Sequence, residues 1–108
     1  MELQPSEAAT RLEAGEMQLV DVREQFEYDA GHVPGSLHIS MNEVGARASE
    51  IDKDKPVAFI CLMGARSEMV TEYFRAQGYD AHNVSGGFAR WFHEKLPTEP
   101  DDAKVAGH

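Results

Sequence analysis

The chain has 108 residues, 42% of them hydrophobic and 27% charged, which is the size and composition of one ordinary globular domain. Ten Lys and Arg stand against 19 Asp and Glu, and a net charge of −9 with no basic run argues against a nucleic-acid partner. No apolar run approaches the ~20 residues that span a bilayer, and the acidic start Met1-Glu2-Leu3-Gln4-Pro5 has no secretory apolar region, so neither a membrane role nor export is expected.

Taken in order, Pro5 to Gly15 reads as a helix, with Pro5 in its first turn, Ala8, Ala9 and Leu12 on one face and Gly15 closing it. Met17 to Val22 follows as a strand. Glu24 to Ala30 is a short helix with Phe26 and Ala30 turned inward, and Gly31-His32-Val33-Pro34-Gly35 is a turn cluster. A short strand, Ser36 to Ile39, leads to Ser40-Met41-Asn42-Glu43, a Ser-x-x-Glu pattern predicted to open a helix through about Glu50. Pro56 to Cys61 is almost continuously apolar, as in a strand covered on both faces.

From Arg66 to Gln77 a stripe of Met69, Val70, Tyr73 and Phe74 marks a helix that Gly78 stops. Asp80 to Val84 is the last strand, and Gly86-Gly87 opens a final helix whose Phe88, Trp91 and Phe92 are read as packing against the sheet. Beyond Leu96 nothing periodic remains, so residues 96–108 are expected to fray as a tail outside a domain of residues 5–95. Short strands separated by helices predict an α/β fold, a small and mostly parallel sheet of about five strands with helices on both faces.

The single cysteine, Cys61, rules out an internal disulfide and suggests a cytoplasmic setting. It stands where the buried strand ends, before the loop Leu62-Met63-Gly64-Ala65 and the helix beginning at Arg66-Ser67. In parallel sheets the carboxyl ends of the strands are where ligands bind. A helix start brings unpaired N–H groups and about half a positive charge to such a place. An ordinary thiol of pKa ~8.5 is only a few per cent thiolate at neutral pH. Making it mostly thiolate takes only about 2.7 kcal/mol of preferential anion stabilisation. Arg66 offers a cation, Ser67 a hydroxyl donor, and Gly64 the freedom to curl the amides of residues 62–67 into a nest. Cys61 is therefore a candidate nucleophile.

The pattern Cys61-x-x-Gly64-x-Arg66-Ser67 resembles the active-site loop of the rhodanese (sulfurtransferase) family. Asp21-Val22-Arg23-Glu24, Phe26-Glu27-Tyr28 and Gly31-His32-Val33-Pro34-Gly35-Ser36 are similar to that family's N-terminal signature. Val84-Ser85-Gly86-Gly87-Phe88 with Trp91 is similar to its C-terminal one, and the blocks run in family order. The resemblance implies a rhodanese-like single domain in which the Cys61 thiolate takes a sulfane sulfur from thiosulfate or a persulfide. It then passes that sulfur to cyanide, a thiol or a sulfur-accepting protein, with no cofactor and no metal.

Two rivals are weighed beside it. Cysteine phosphatases also combine Cys, an amide loop and Arg at a helix start, but with one residue more between Cys and Arg, a ring sized for phosphoryl oxygens. A non-catalytic rhodanese-like module that binds or regulates partners is the other. Leu62 and Met63 are apolar where cations would assist a dianion, so they either pack inward or form a rim that favours persulfide donors or a docking protein. Asp21 and Arg23 are read as an ionic support for the loop, and His32 as a bond within its turn. The histidines at 32, 38, 82, 93 and 108 have no metal-ligand spacing.

Overall fold

The computed structural model describes residues 1–106. Its elements are β1 (Glu2–Leu3), α1 (Pro5–Glu13), β2 (Gln18–Asp21), α2 (Gln25–Ala30), β3 (Leu37–His38), a 3-10 turn (Ala48–Glu50), β4 (Val57–Ile60), α3 (Ala65–Ala76), β5 (Ala81–Val84) and α4 (Gly87–His93). All strand pairs are parallel, and the sheet order is β1-β5-β4-β2-β3. The α/β reading of a small parallel sheet with helices on both faces therefore holds.

The central strand β4 explains the layering. Val57, Ala58, Phe59 and Ile60 are all fully buried because both faces are covered. Each of the larger side chains contributes about 1.5–3 kcal/mol by leaving water. Alternation sends Val57 and Phe59 toward one core with Val70 and Phe74 of α3, and Ala58 and Ile60 toward the other with Ala8 of α1 and Phe88 and Trp91 of α4. Cys61 continues the first series, so the strand's own period sets its side chain beneath the start of α3.

The chain leaves β2 toward β3 and returns on the other side of β2 as β4. The resulting switch point lies between the carboxyl ends of β2 and β4, where a crevice forms in sheets of this kind.

Four expectations are corrected. The region after Ser40 is a series of turns, with helical geometry confined to the 3-10 turn. Gly45 disfavours a helix by about 1 kcal/mol, and of that segment Val44 and Ile51 are buried in the core while Met41 and Ala48 pack against it. In α2 it is Glu27 that is buried, whereas Phe26 is 54% exposed. In α3, Met69 and Tyr73 face outward, and Ser67, Val70, Thr71 and Phe74 form the inner face. Finally, residues 97–106 of the predicted tail fold back over the body instead of fraying.

That last correction has a hydrogen-bonded cause. Trp91 donates from Nε1 to the Pro97 carbonyl at 2.8 Å, and His32 and Glu99 exchange both backbone bonds at 2.9 Å. Lys104 N–H reaches the Ala30 carbonyl at 2.9 Å, and Leu96 and Val105 pack against the α1/α4 core. Residues 107 and 108 of the predicted tail, His108 included, lie outside the described residues.

β1, with no expectation attached to it, pairs with β5 through Asn83 N–H to the Met1 carbonyl and Ser85 N–H to the Leu3 carbonyl. A two-residue strand is too short to carry a period.

Candidate active site

Cys61 closes β4 and is only 1% exposed, yet it is not surrounded by hydrocarbon alone. Its Sγ accepts the Gly64 N–H at 3.1 Å and lies 3.3 Å from the Ser67 hydroxyl. Gly64 reaches that position with φ +102°, a left-handed conformation that glycine adopts without a Cβ penalty. Cys61, Leu62, Met63, Ala65, Arg66 and Glu24 line an open depression of about 530 Å³ above the sulfur.

A second helix start, that of α4, takes the loop's carbonyls. Phe88 N–H takes the Cys61 carbonyl at 2.7 Å, and Ala89 N–H takes the Leu62 carbonyl at 3.0 Å. Both carbonyls are thus drawn away from the thiol toward α4. Such an approach requires glycine at 87, because a Cβ there would lie 2.5 Å from both of those carbonyl oxygens.

The two residues expected to support the loop bind each other. Asp21 and Arg23 form a wholly buried ion pair, with Nη2 to Oδ2 at 2.7 Å and Nε to Oδ1 at 2.9 Å. Arg23 continues to the Gly31 carbonyl at 2.8 Å and lies 4.3 Å over the Phe88 ring. It therefore ties β2, the turn at Gly31 and α4 together behind the loop.

Arg66 differs from the expectation of a cation aimed at a bound anion. Glu27, fully buried, takes its guanidinium with a two-pronged grip, Nη1 to Oε1 at 3.0 Å and Nη2 to Oε2 at 3.1 Å. The hydrogen-bonded Glu27 carboxylate raises the Arg66 pKa above its ordinary value, against the opposing effect of burial. Glu27 Oε1 also accepts the Glu24 N–H at 2.9 Å, which caps α2. The cation at the mouth is therefore matched by a buried carboxylate, and the neighbouring Glu24 adds another acidic group.

Of the remaining loop residues, Leu62 is half-buried and Met63 is 66% exposed, so the inward-packing reading fails for Met63. His32 bonds outside its turn, through Nδ1 to the Tyr28 carbonyl of α2 at 2.7 Å and through Nε2 to Glu99 Oε1 at 3.2 Å. Trp91 and Phe88 are fully buried packing residues, and Phe92 is partly exposed. Among the described residues, no group of three or more His, Cys, Asp or Glu side chains could hold a metal ion. No helix among them is long and apolar enough to cross a membrane.

Sequence reasoning passed over Glu27 and Asn83. The Glu24-x-x-Glu27 spacing signals a cap at the start of α2 but not the pairing of Glu27 with Arg66. Asn83 sits on a strand whose alternation places it beside Ser67, a juxtaposition that only the register of β5 with β4 reveals.

Comparisons with known proteins agree with this geometry. The family model for the rhodanese-like domain matches residues 4–94, and the chain belongs to that family. A relative in Bacillus subtilis (strain 168), named "Putative sulfurtransferase YtwF", is 40% identical over 82 residues, covering 76% of this chain and 80% of the relative. Among solved structures, a rhodanese-related protein from Thermoplasma volcanium superposes with a TM-score of 0.84 at 26% identity, covering 91% of this chain and 96% of that one. A rhodanese-like domain protein from Staphylococcus aureus gives a TM-score of 0.78 at 28% identity, with 98% of each chain covered.

Proposed function

We propose that this protein is a sulfurtransferase that carries sulfane sulfur as a persulfide on Cys61. The observation that carries the reading is the sulfur atom itself, buried at the floor of a depression and met by the Gly64 amide and the Ser67 hydroxyl. The Gly64 amide points its N–H at the sulfur, and a donor so placed favours an anion at that position.

In the first half-reaction the Cys61 thiolate attacks the outer sulfur of the donor. With a persulfide donor R–S–S⁻, the new bond is Cys61 S–S, the donor S–S bond breaks and R–S⁻ leaves with the bonding pair. With thiosulfate the leaving group is sulfite. In the second, a nucleophile such as a thiolate or cyanide takes the outer sulfur, and the Cys61 thiolate leaves. Charge balances in each half, and neither step needs an oxidant. Covalent storage divides one transfer into two easier displacements.

Persulfides of thiols or of a partner protein are the donor class the mouth favours over thiosulfate. Arg66 is already engaged by Glu27, Glu24 faces the same depression, and Leu62 and Met63 offer apolar surface in place of cations. The same engagement argues against a phosphatase, because the guanidinium fork that would grip phosphoryl oxygens is taken up by a carboxylate. A thiol that must stay reduced between turnovers suits the cytoplasm.

Steady-state thiocyanate formation with an alkyl persulfide and with thiosulfate tests the proposal. Parallel double-reciprocal lines and a higher kcat/KM for the persulfide are expected. Intersecting lines, or no turnover with either donor, would contradict it.

A further inference from the structure

The Ser67 hydroxyl holds one proton and faces more than one acceptor. Its Oγ lies 3.3 Å from Cys61 Sγ and in very short contact with Asn83 Oδ1. Asn83 is not free to turn away. Its Nδ2 donates to the Gly64 carbonyl at 3.2 Å and to Glu2 Oε2 at 3.0 Å, and Glu2 in turn accepts the Ser85 hydroxyl at 2.8 Å. With the amide nitrogen anchored, Oδ1 must point at Ser67. Asn83 is 2% exposed, so no water-facing alternative competes for it.

We infer that Asn83, anchored by Glu2, is a positioning residue that sets the direction of the Ser67 proton and through it the readiness of Cys61 to ionise. While the Ser67 proton points to Asn83, a Ser67 lone pair faces the sulfur and accepts the S–H of a thiol. Ionisation of Cys61 reverses this bond. The Ser67 proton swings to the sulfur, the thiol proton passes to solvent, and Asn83 Oδ1 loses its donor. Asn83 thus competes with the sulfur for the Ser67 proton, and giving up that hydrogen bond opposes formation of the nucleophile. A persulfide, whose charge sits on the outer sulfur away from Ser67, lets the proton return to Asn83.

The charged groups around the thiol are Arg66 on α3, Glu24 and Glu27 on or before α2, Glu2 on β1 and the Asp21–Arg23 pair at the end of β2. Substituting Asn83 or Ser67 changes none of these charges. The inference rests on Cys61 being the nucleophile, but its test uses no sulfur donor, so the two can fail separately.

The experiment is the pH profile of iodoacetamide alkylation at this chain's single cysteine, followed by intact mass, for a double-mutant cycle of Asn83→Ala and Ser67→Ala. Asn83→Ala should lower the midpoint by about one pH unit, the scale of one hydrogen bond to a charged group. In the Ser67→Ala background the same substitution should move it by less than about a third of that. A midpoint that rises or stays put in Asn83→Ala, or an equal fall in both backgrounds, would overturn the inference. Should Asn83→Ala fail to fold, Glu2 at the exposed edge provides the reading. Glu2→Gln keeps an acceptor for Nδ2 and Glu2→Ala does not, so the alanine variant should show the lower midpoint; equal midpoints would overturn it.

Discussion

β2 and β4 run side by side, Asp21 opposite Ile60, and their carboxyl ends lead to opposite outcomes. The end of β2 closes on itself: Asp21 and Arg23 are fully buried, paired through several bonds and tied onward to Gly31. The end of β4 is left open. There the loop carbonyls are drawn off by α4, and a donor amide and a hydroxyl meet the single sulfur. A closed neighbour is what allows an open one, because donors converging on a reactive atom keep their geometry only against a scaffold that does not yield.

Breaking the closed side should have the largest effect on stability. Asp21→Ala leaves the Arg23 charge buried and unpaired, which should cost about 3–5 kcal/mol in urea unfolding. A loss under 1 kcal/mol would show that the pair is not the scaffold described. Gly87→Ala attacks the junction between the two sides, combining a φ of +61° with contacts of 2.5 Å to the Cys61 and Leu62 carbonyls. About 2–3 kcal/mol of destabilisation is expected, with slower alkylation of Cys61 in the protein that remains folded. Alkylation at the parental rate would separate the loop from α4.

The smallest effect sharpens the comparison at the mouth. Glu27→Gln releases Arg66 from a charged partner without removing the side chain's shape. The kcat/KM for thiosulfate should rise about tenfold relative to that for an alkyl persulfide, equivalent to about 1.4 kcal/mol. An unchanged ratio would mean that the Arg66–Glu27 pair does not govern donor choice.

Much of this neighbourhood is legible in the chain itself. The apolar run to Cys61 announces a central strand, and Gly64, Arg66 and Ser67 announce a loop entering a helix. The Gly86-Gly87 pair marks a close approach whose target, the Cys61 and Leu62 carbonyls, becomes visible only when β4 and β5 are adjacent. Glu27 stayed hidden because its burial depends on Arg66, 39 residues away, and pairs of that kind leave no local period. The same holds for Glu2 and Asn83, 81 residues apart and joined by strand pairing. After Ser40 the local signal misleads outright. A helix-opening pattern is followed by Gly45, and tertiary packing buries Val44 and Ile51 with Met41 and Ala48 against them.

The most direct test is the intact mass of the protein after incubation with an alkyl persulfide or thiosulfate. A gain of one sulfur atom, removed by cyanide and missing in Cys61→Ser, is the result this account predicts. A fully folded parent that gains no sulfur from either donor, or a Cys61→Ser variant that gains it equally well, would contradict it.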